Sequence, residues 1–337
     1  MTRTFDRLPR SPRIAVAALL LAAGSFLPGR ASFADEAPPE GWRERIAAEL
    51  GAEGEARLPA GTYELDRPIV LKSYESLVLS PRATLIAKGF TAVILEGRRA
   101  SLRGGTVRGD GSSVVLVRRS LFWSVEDCVI EGSEQLNVGL LVQGPECYFG
   151  QARNLEIRNV SHAVRLGKDA NANDFWHVVA FDVGETFWSL DGAYANKVYG
   201  GFCHGSGTRD GAIGVRAMNG SIYNGFYGLG FEPGGERTRA LVVDETSGRN
   251  HFFVQNNAIA APSLRGKNDL VILDGDRLAG SGGDIRLATA LSTFEESLAR
   301  LERKSGSIER RVASHRRALE AYRESIEYLY GAWYGYW

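Results

Sequence analysis

Short apolar strands return through the middle of this chain at a nearly fixed interval. They cover residues 93–97, 114–118, 140–144, 164–168, 188–192, 213–218 and 241–244. Their central residues Leu95, Leu116, Leu141, Leu166, Leu190, Val215 and Val242 are separated by 21, 25, 25, 24, 25 and 27 positions. A period near 25 built of strands alone specifies a β-solenoid, because the strands of a sandwich do not return at a fixed interval. Each turn of the coil is one rung, and the expected fold class is all-β, with the solenoid over residues 58–288.

A second strand class lies between these and repeats Asn-x-aromatic or Asn-x-aliphatic. It appears as Asn173-Asp174-Phe175, Asn196-Lys197-Val198, Asn224-Gly225-Phe226 and Asn250-His251-Phe252. Asparagine tolerates the left-handed backbone of a tight turn, and stacked amides can hydrogen-bond from rung to rung. These four are expected to form a structural ladder rather than a binding site.

Leu58-Pro59-Ala60-Gly61-Thr62-Tyr63, followed by Ile69-Val70-Leu71 and Ala83-Thr84-Leu85-Ile86, resembles the opening of pectate-lyase-like β-helices. The run from Asn224 through Phe226, Tyr227 and Phe231 to Glu232 is similar to rungs of tailspike-like members of that superfamily. The resemblance implies a right-handed parallel β-helix, a polysaccharide partner and a tendency to trimerise. It singles out no activity, since one solenoid hosts lyases, hydrolases, epimerases and proteins without catalysis. Residues 35–57 hold a linker and a short amphipathic segment, 44–50, expected to cap the open end of the coil.

Both ends depart from the repeat. Arg3, Arg7, Arg10 and Arg13 precede the apolar run 14–23, and Ser32-Phe33-Ala34 offers small residues for cleavage. That order is expected of a secretory signal peptide over residues 1–34, with an uncleaved signal anchor as the alternative. The location implied is secreted or periplasmic, and envelope association is compatible with it. In residues 289–337, Leu291, Phe294, Leu298, Leu301, Ser305, Ile308, Val312, His315, Leu319, Tyr322, Ile326 and Leu329 alternate steps of three and four. This is a coiled-coil seam, expected to join copies of the chain into a homo-oligomer, the rival being a helix folded back on the solenoid. An aromatic tail from Tyr328 to Trp337 follows.

Lys and Arg total 40 against 40 Asp and Glu, with no basic block, so nucleic acid is excluded as an expected partner. Cys128, Cys147 and Cys203 are too few for a disulfide scaffold and lack zinc-site spacing; they read as small interior hydrophobes.

Aligning the inward residues Val142, Leu166, Leu190, Val215 and Val243 puts Gln143, Gly167, Asp191, Arg216 and Asp244 in one outward column. With rungs about 4.8 Å apart, Asp191 and Asp244 would flank Arg216 at roughly 9 to 10 Å. Such a trio can serve glycoside hydrolysis, or it can hold Ca²⁺ and a uronate while Arg216 or Lys197 moves a proton. The competing reading is a surface ion-pair ladder. Trp176, Tyr199 and Tyr227 form a second column suited to stacking on sugar rings, provided they point outward. His204 aligns with Glu232, which can orient an imidazole for acid or base work, while His162 and His177 have no aligned acid.

Overall fold

The computed structural model describes residues 40–274, apart from 134, 136, 233, 257, 259, 261, 267 and 268. Within them the chain winds as a parallel β-solenoid with three strand columns, here called sheets 1, 2 and 3. Sheet 1 begins with Ile69–Leu71, Val93–Glu96, Ser113–Arg118 and Val138–Val142, and later takes Ile213–Met218, Arg239–Val243 and Ser263–Leu264. Sheet 2 begins with Glu55–Leu58, Ser76–Leu79, Ser101–Arg103 and Ser124–Glu126. Sheet 3 begins with Gly61–Leu65, Ala83–Ala87, Thr106–Gly109 and Val129–Glu131. The long strands Gln151–Leu166 and Asp174–Asp191 run through all three sheets.

Alternation decides which side chains fill the coil. Leu71, Leu95, Val117, Val142, Leu166, Leu190, Ala217 and Val243 pair rung to rung and are all buried. Each fully buried leucine contributes about 1.5–3 kcal/mol through the hydrophobic effect. Across the interior, Phe175, Trp188, Phe226 and Phe252 pack as edge-on and stacked rings. Cys128, Cys147 and Cys203 are free and buried, and burial pushes the Cys128 thiol up to about 12.

The expected asparagine ladder is present. The backbone N–H and the amide of Asn173 both donate to Asn196 Oδ1, and the same two bonds run from Asn196 to Asn224 and from Asn224 to Asn250. All four asparagines are buried. At the head of the ladder Asn173 Oδ1 accepts from the Trp123 indole and from Gly150 N–H. A Cβ at Gly150 would lie 2.0 Å from the Trp123 ring, so only glycine lets that indole reach the ladder.

The helix α1, Trp42–Glu53, is longer than the expected 44–50 because it runs on to Gly54, whose positive φ of 72° and N–H to Leu50 end it. It buries Ile46 and Leu50 in the same core as Tyr63, with Trp42 edge-on to that ring. The first strand starts at Glu55 rather than at 58. The expected signal peptide, 1–34, and coiled coil, 289–337, lie outside the described residues.

Candidate functional site

The register of sheet 1 corrects the expected trio. Leu190 pairs with Ala217, and Ala217 with Val243, so the column beyond them holds Asp191, Met218 and Asp244. Arg216 lies on the neighbouring outward column, paired with Ser189 and Val242. Val215 and Ala217 both face inward two positions apart, and a two-residue slip leaves alternation intact, so the pattern of apolar residues cannot distinguish them.

The two carboxylates are also committed elsewhere. Asp191 accepts from the Asn219 amide and from Arg165 Nη2, each at 2.7 Å, and these partners, Asn219 foremost, hold its carboxyl below the usual range. Asp244 accepts from the N–H groups of Asn219, Thr246 and Ser247 and from the Thr246 hydroxyl, at 2.8–3.0 Å. Burial alone would raise the Asp244 carboxyl, but those donors outweigh it and hold it low. Its lone pairs close a turn and leave little for a sugar or a calcium ion.

What the outer face of sheet 1 does assemble is cationic. Arg165, Ser189 and Arg216 follow one another on three rungs. Arg165 is tied to Asp191, whereas Arg216 has no ion pair among the described residues. Between them Ser189 is 1% exposed and its hydroxyl has no hydrogen-bond partner among the described residues. Beside this column, His162 pairs with Thr186, whose hydroxyl is likewise buried and has no partner among the described residues.

His162 does have an acid beside it: its Nε2 lies 3.6 Å from Glu185 Oε2. The register shifts by one residue between Val160 and His162, and this bulge in the Asp174–Asp191 strand delivers Glu185 to the imidazole. A fixed period cannot foresee such an insertion. Burial lowers the His162 pKa, and Arg165 and Arg216 lower it further against the pull of Glu185. Next to Glu185, Gly184 lies against Gln135, whose amide donates to the Gly207 carbonyl at 2.9 Å.

The other candidates face different directions. Trp176, Tyr199 and Tyr227 are outward on sheet 2, as alternation requires once Phe175, Val198 and Phe226 are inside. They stack on one another and on Phe253, with centroids at 4.1, 5.5 and 5.6 Å and planes within 16–24°. Rings stacked along the coil axis cover each other's faces and present edges to solvent, which is poor geometry for stacking on a sugar. On sheet 3, His204 Nε2 lies 3.4 Å from Glu232 Oε2, and its Nδ1 accepts the Ser206 N–H, leaving the proton on Nε2. The eight proposed site residues thus occupy three faces and cannot act on one bound chain together.

Among the described residues no group of three or more His, Cys, Asp or Glu side chains is placed to hold a metal ion. No protein-family model matches the chain, and no curated protein matches it. Among solved structures it is similar to the crystal structure of PfbA, a surface adhesin of Streptococcus pneumoniae. That likeness has 12% identity and a TM-score of 0.43 over 69% of this chain and 84% of the other.

Proposed function

We propose that this chain is an exported polysaccharide-recognising β-helix protein that binds an acidic glycan on the outer face of sheet 1. Arg216 carries the proposal: it is a partly buried arginine that has no ion pair among the described residues and lies one rung from Ser189 on the outer face of sheet 1. A uronate carboxylate supplies the opposite charge that this guanidinium lacks among the described residues. Arg165, two rungs back, adds positive potential while staying bound to Asp191.

Binding is favoured over cleavage because Asp244 is spent on its turn and Asp191 on Arg165 and Asn219. If chemistry occurs here, His162 and Glu185 are the acid–base pair within reach. The seam from Leu291 to Leu329, as a coiled coil, would join copies and raise the avidity of individually weak sites. The alternative reading is a non-catalytic structural or assembly protein of the cell envelope, in which the coiled coil joins subunits and the solenoid is a rigid spacer.

The test is calorimetric titration of full-length protein with oligogalacturonates and with uncharged oligosaccharides of equal length. Acidic chains should bind and Arg216→Ala should weaken them by about 1–3 kcal/mol. Equal affinity of parent and variant for every acidic chain sinks the proposal.

A further inference from the structure

The turn leading from sheet 1 into sheet 2 places one residue per rung in the left-handed backbone region. These residues form a column along one edge of the coil: Tyr74, Arg99, Phe122, Phe149, Ala172, Ala195, Tyr223 and Arg249, with φ between 51° and 67°. The turn geometry demands a positive φ, but not an aromatic side chain, and bulky residues are disfavoured there. Yet Tyr74 is 59% exposed, Phe149 58% and Tyr223 42%. The interior gains nothing from rings held outside it.

The edge has a gap. Tyr148, Asn171 and Tyr194 follow one another on consecutive rungs beside Phe149, Ala172 and Ala195. Tyr148 and Phe149 stand on one side and Tyr194, packed on Tyr223, stands on the other. Tyr148 and Tyr194 are two rungs apart, about 9.6 Å along the coil. Only Asn171 and Ala172 lie between them. The Asn171 amide makes no hydrogen bond among the described residues, and the residue is half-buried.

We infer that this gap is a second glycan-contacting site, one that takes a pyranose ring edge-in between the aromatic walls while Asn171 pairs with its hydroxyls. An amide flanked by exposed rings matches a sugar, which has both C–H faces and hydroxyl edges. A bilayer surface fits less well, since the exposed acids Glu146 and Asp169 lie two residues before Tyr148 and Asn171 and would meet anionic headgroups there. The inference rests on the reading of this chain as a glycan binder but concerns a surface distinct from that of Arg216.

Full-length protein passed over immobilised hexamers of cellulose, chitin and polygalacturonate, with phosphatidylserine vesicles in parallel, tests it. The parent should be retained on at least one hexamer, and Asn171→Ala or Ala172→Phe should weaken retention about tenfold or more. Ala172→Phe fills the gap at a position whose neighbour on the preceding rung, Phe149, already holds that ring with φ 55°, so folding should survive. A melting temperature close to the parent's checks this for both variants. Retention lost in these variants but kept in Arg216→Ala places the site at the edge. No retention on any hexamer, or unchanged retention in both edge variants, overturns the inference; loss of vesicle binding alone also overturns it, in favour of a membrane. If Arg216→Ala abolishes retention and the edge variants do not, the edge site falls and the sheet 1 site stands.

Discussion

Asp269 accepts both the backbone N–H and the side-chain amide of Asn250, at 2.8 and 3.2 Å, through a single oxygen, Oδ1. It therefore stands where a fifth asparagine would continue the ladder. Its other oxygen, Oδ2, is buried and has no partner among the described residues. In each asparagine the equivalent position is an amide nitrogen that donates to a carbonyl of the preceding turn, as Asn250 does to Ser221.

Replacing Asp269 by Asn should stabilise the protein at neutral pH by roughly 1 kcal/mol, the worth of one hydrogen bond. Burial raises the Asp269 carboxyl above its ordinary 3.8. The native state then holds this proton more tightly than the unfolded chain does. Stability from this group is complete below the unfolded value and is lost as pH rises through the folded one. Thermal melts from pH 4 to 7 should show the gain of Asp269→Asn growing with pH; a flat difference contradicts it.

Asn224→Ala should be among the most damaging single changes in the coil. It strips the acceptor from both donors of Asn196 and takes the side-chain donor from Asn250 Oδ1, which keeps only the backbone N–H of residue 224, all in the buried interior. A loss of about 3 kcal/mol is expected for several orphaned buried groups. Urea unfolding measures it, and a loss under 1 kcal/mol would show that the turn reorganises around the vacancy.

Arg216→Ala should raise the pKa of His162, because Arg216 is one of the two cations that push it down. In the parent, His162 has a folded value below 6.5, so its contribution to stability is present above 6.5 and is lost as pH falls toward the folded value. Proton–carbon NMR of the imidazole should show the upward shift in the variant with an otherwise unchanged spectrum. An unmoved titration would separate Arg216 from the His162–Glu185 pair.

Tyr199→Ala should cost stability rather than binding. Its ring is covered by Trp176 at 4.1 Å on one side and by Tyr227 at 5.5 Å on the other. Two lost stacks correspond to about 2 kcal/mol. A variant that melts like the parent but no longer binds glycans would restore this column as a sugar platform.

The sequence alone determined the architecture. A strand period near 25, inward alternation and one asparagine per rung each follow from local residue choices, and the pairing of Asn173, Asn196, Asn224 and Asn250 realises them. The sequence left open whether Trp176, Tyr199 and Tyr227 face outward; the structure turns them out by filling the interior with Phe175, Val198 and Phe226. Which outward residues become neighbours was decided only by the tertiary structure. A two-residue slip moved Arg216 from between Asp191 and Asp244 to between Ser189 and Val242 without disturbing a single inward position. One inserted residue brought Glu185 to His162. Phe149 and Tyr223 share an exposed edge because the turn backbone there has a positive φ, and side-chain identity at those positions gives no sign of it. Alternation encodes inside and outside; register, bulges and turn conformation depend on how each rung settles on the one before it.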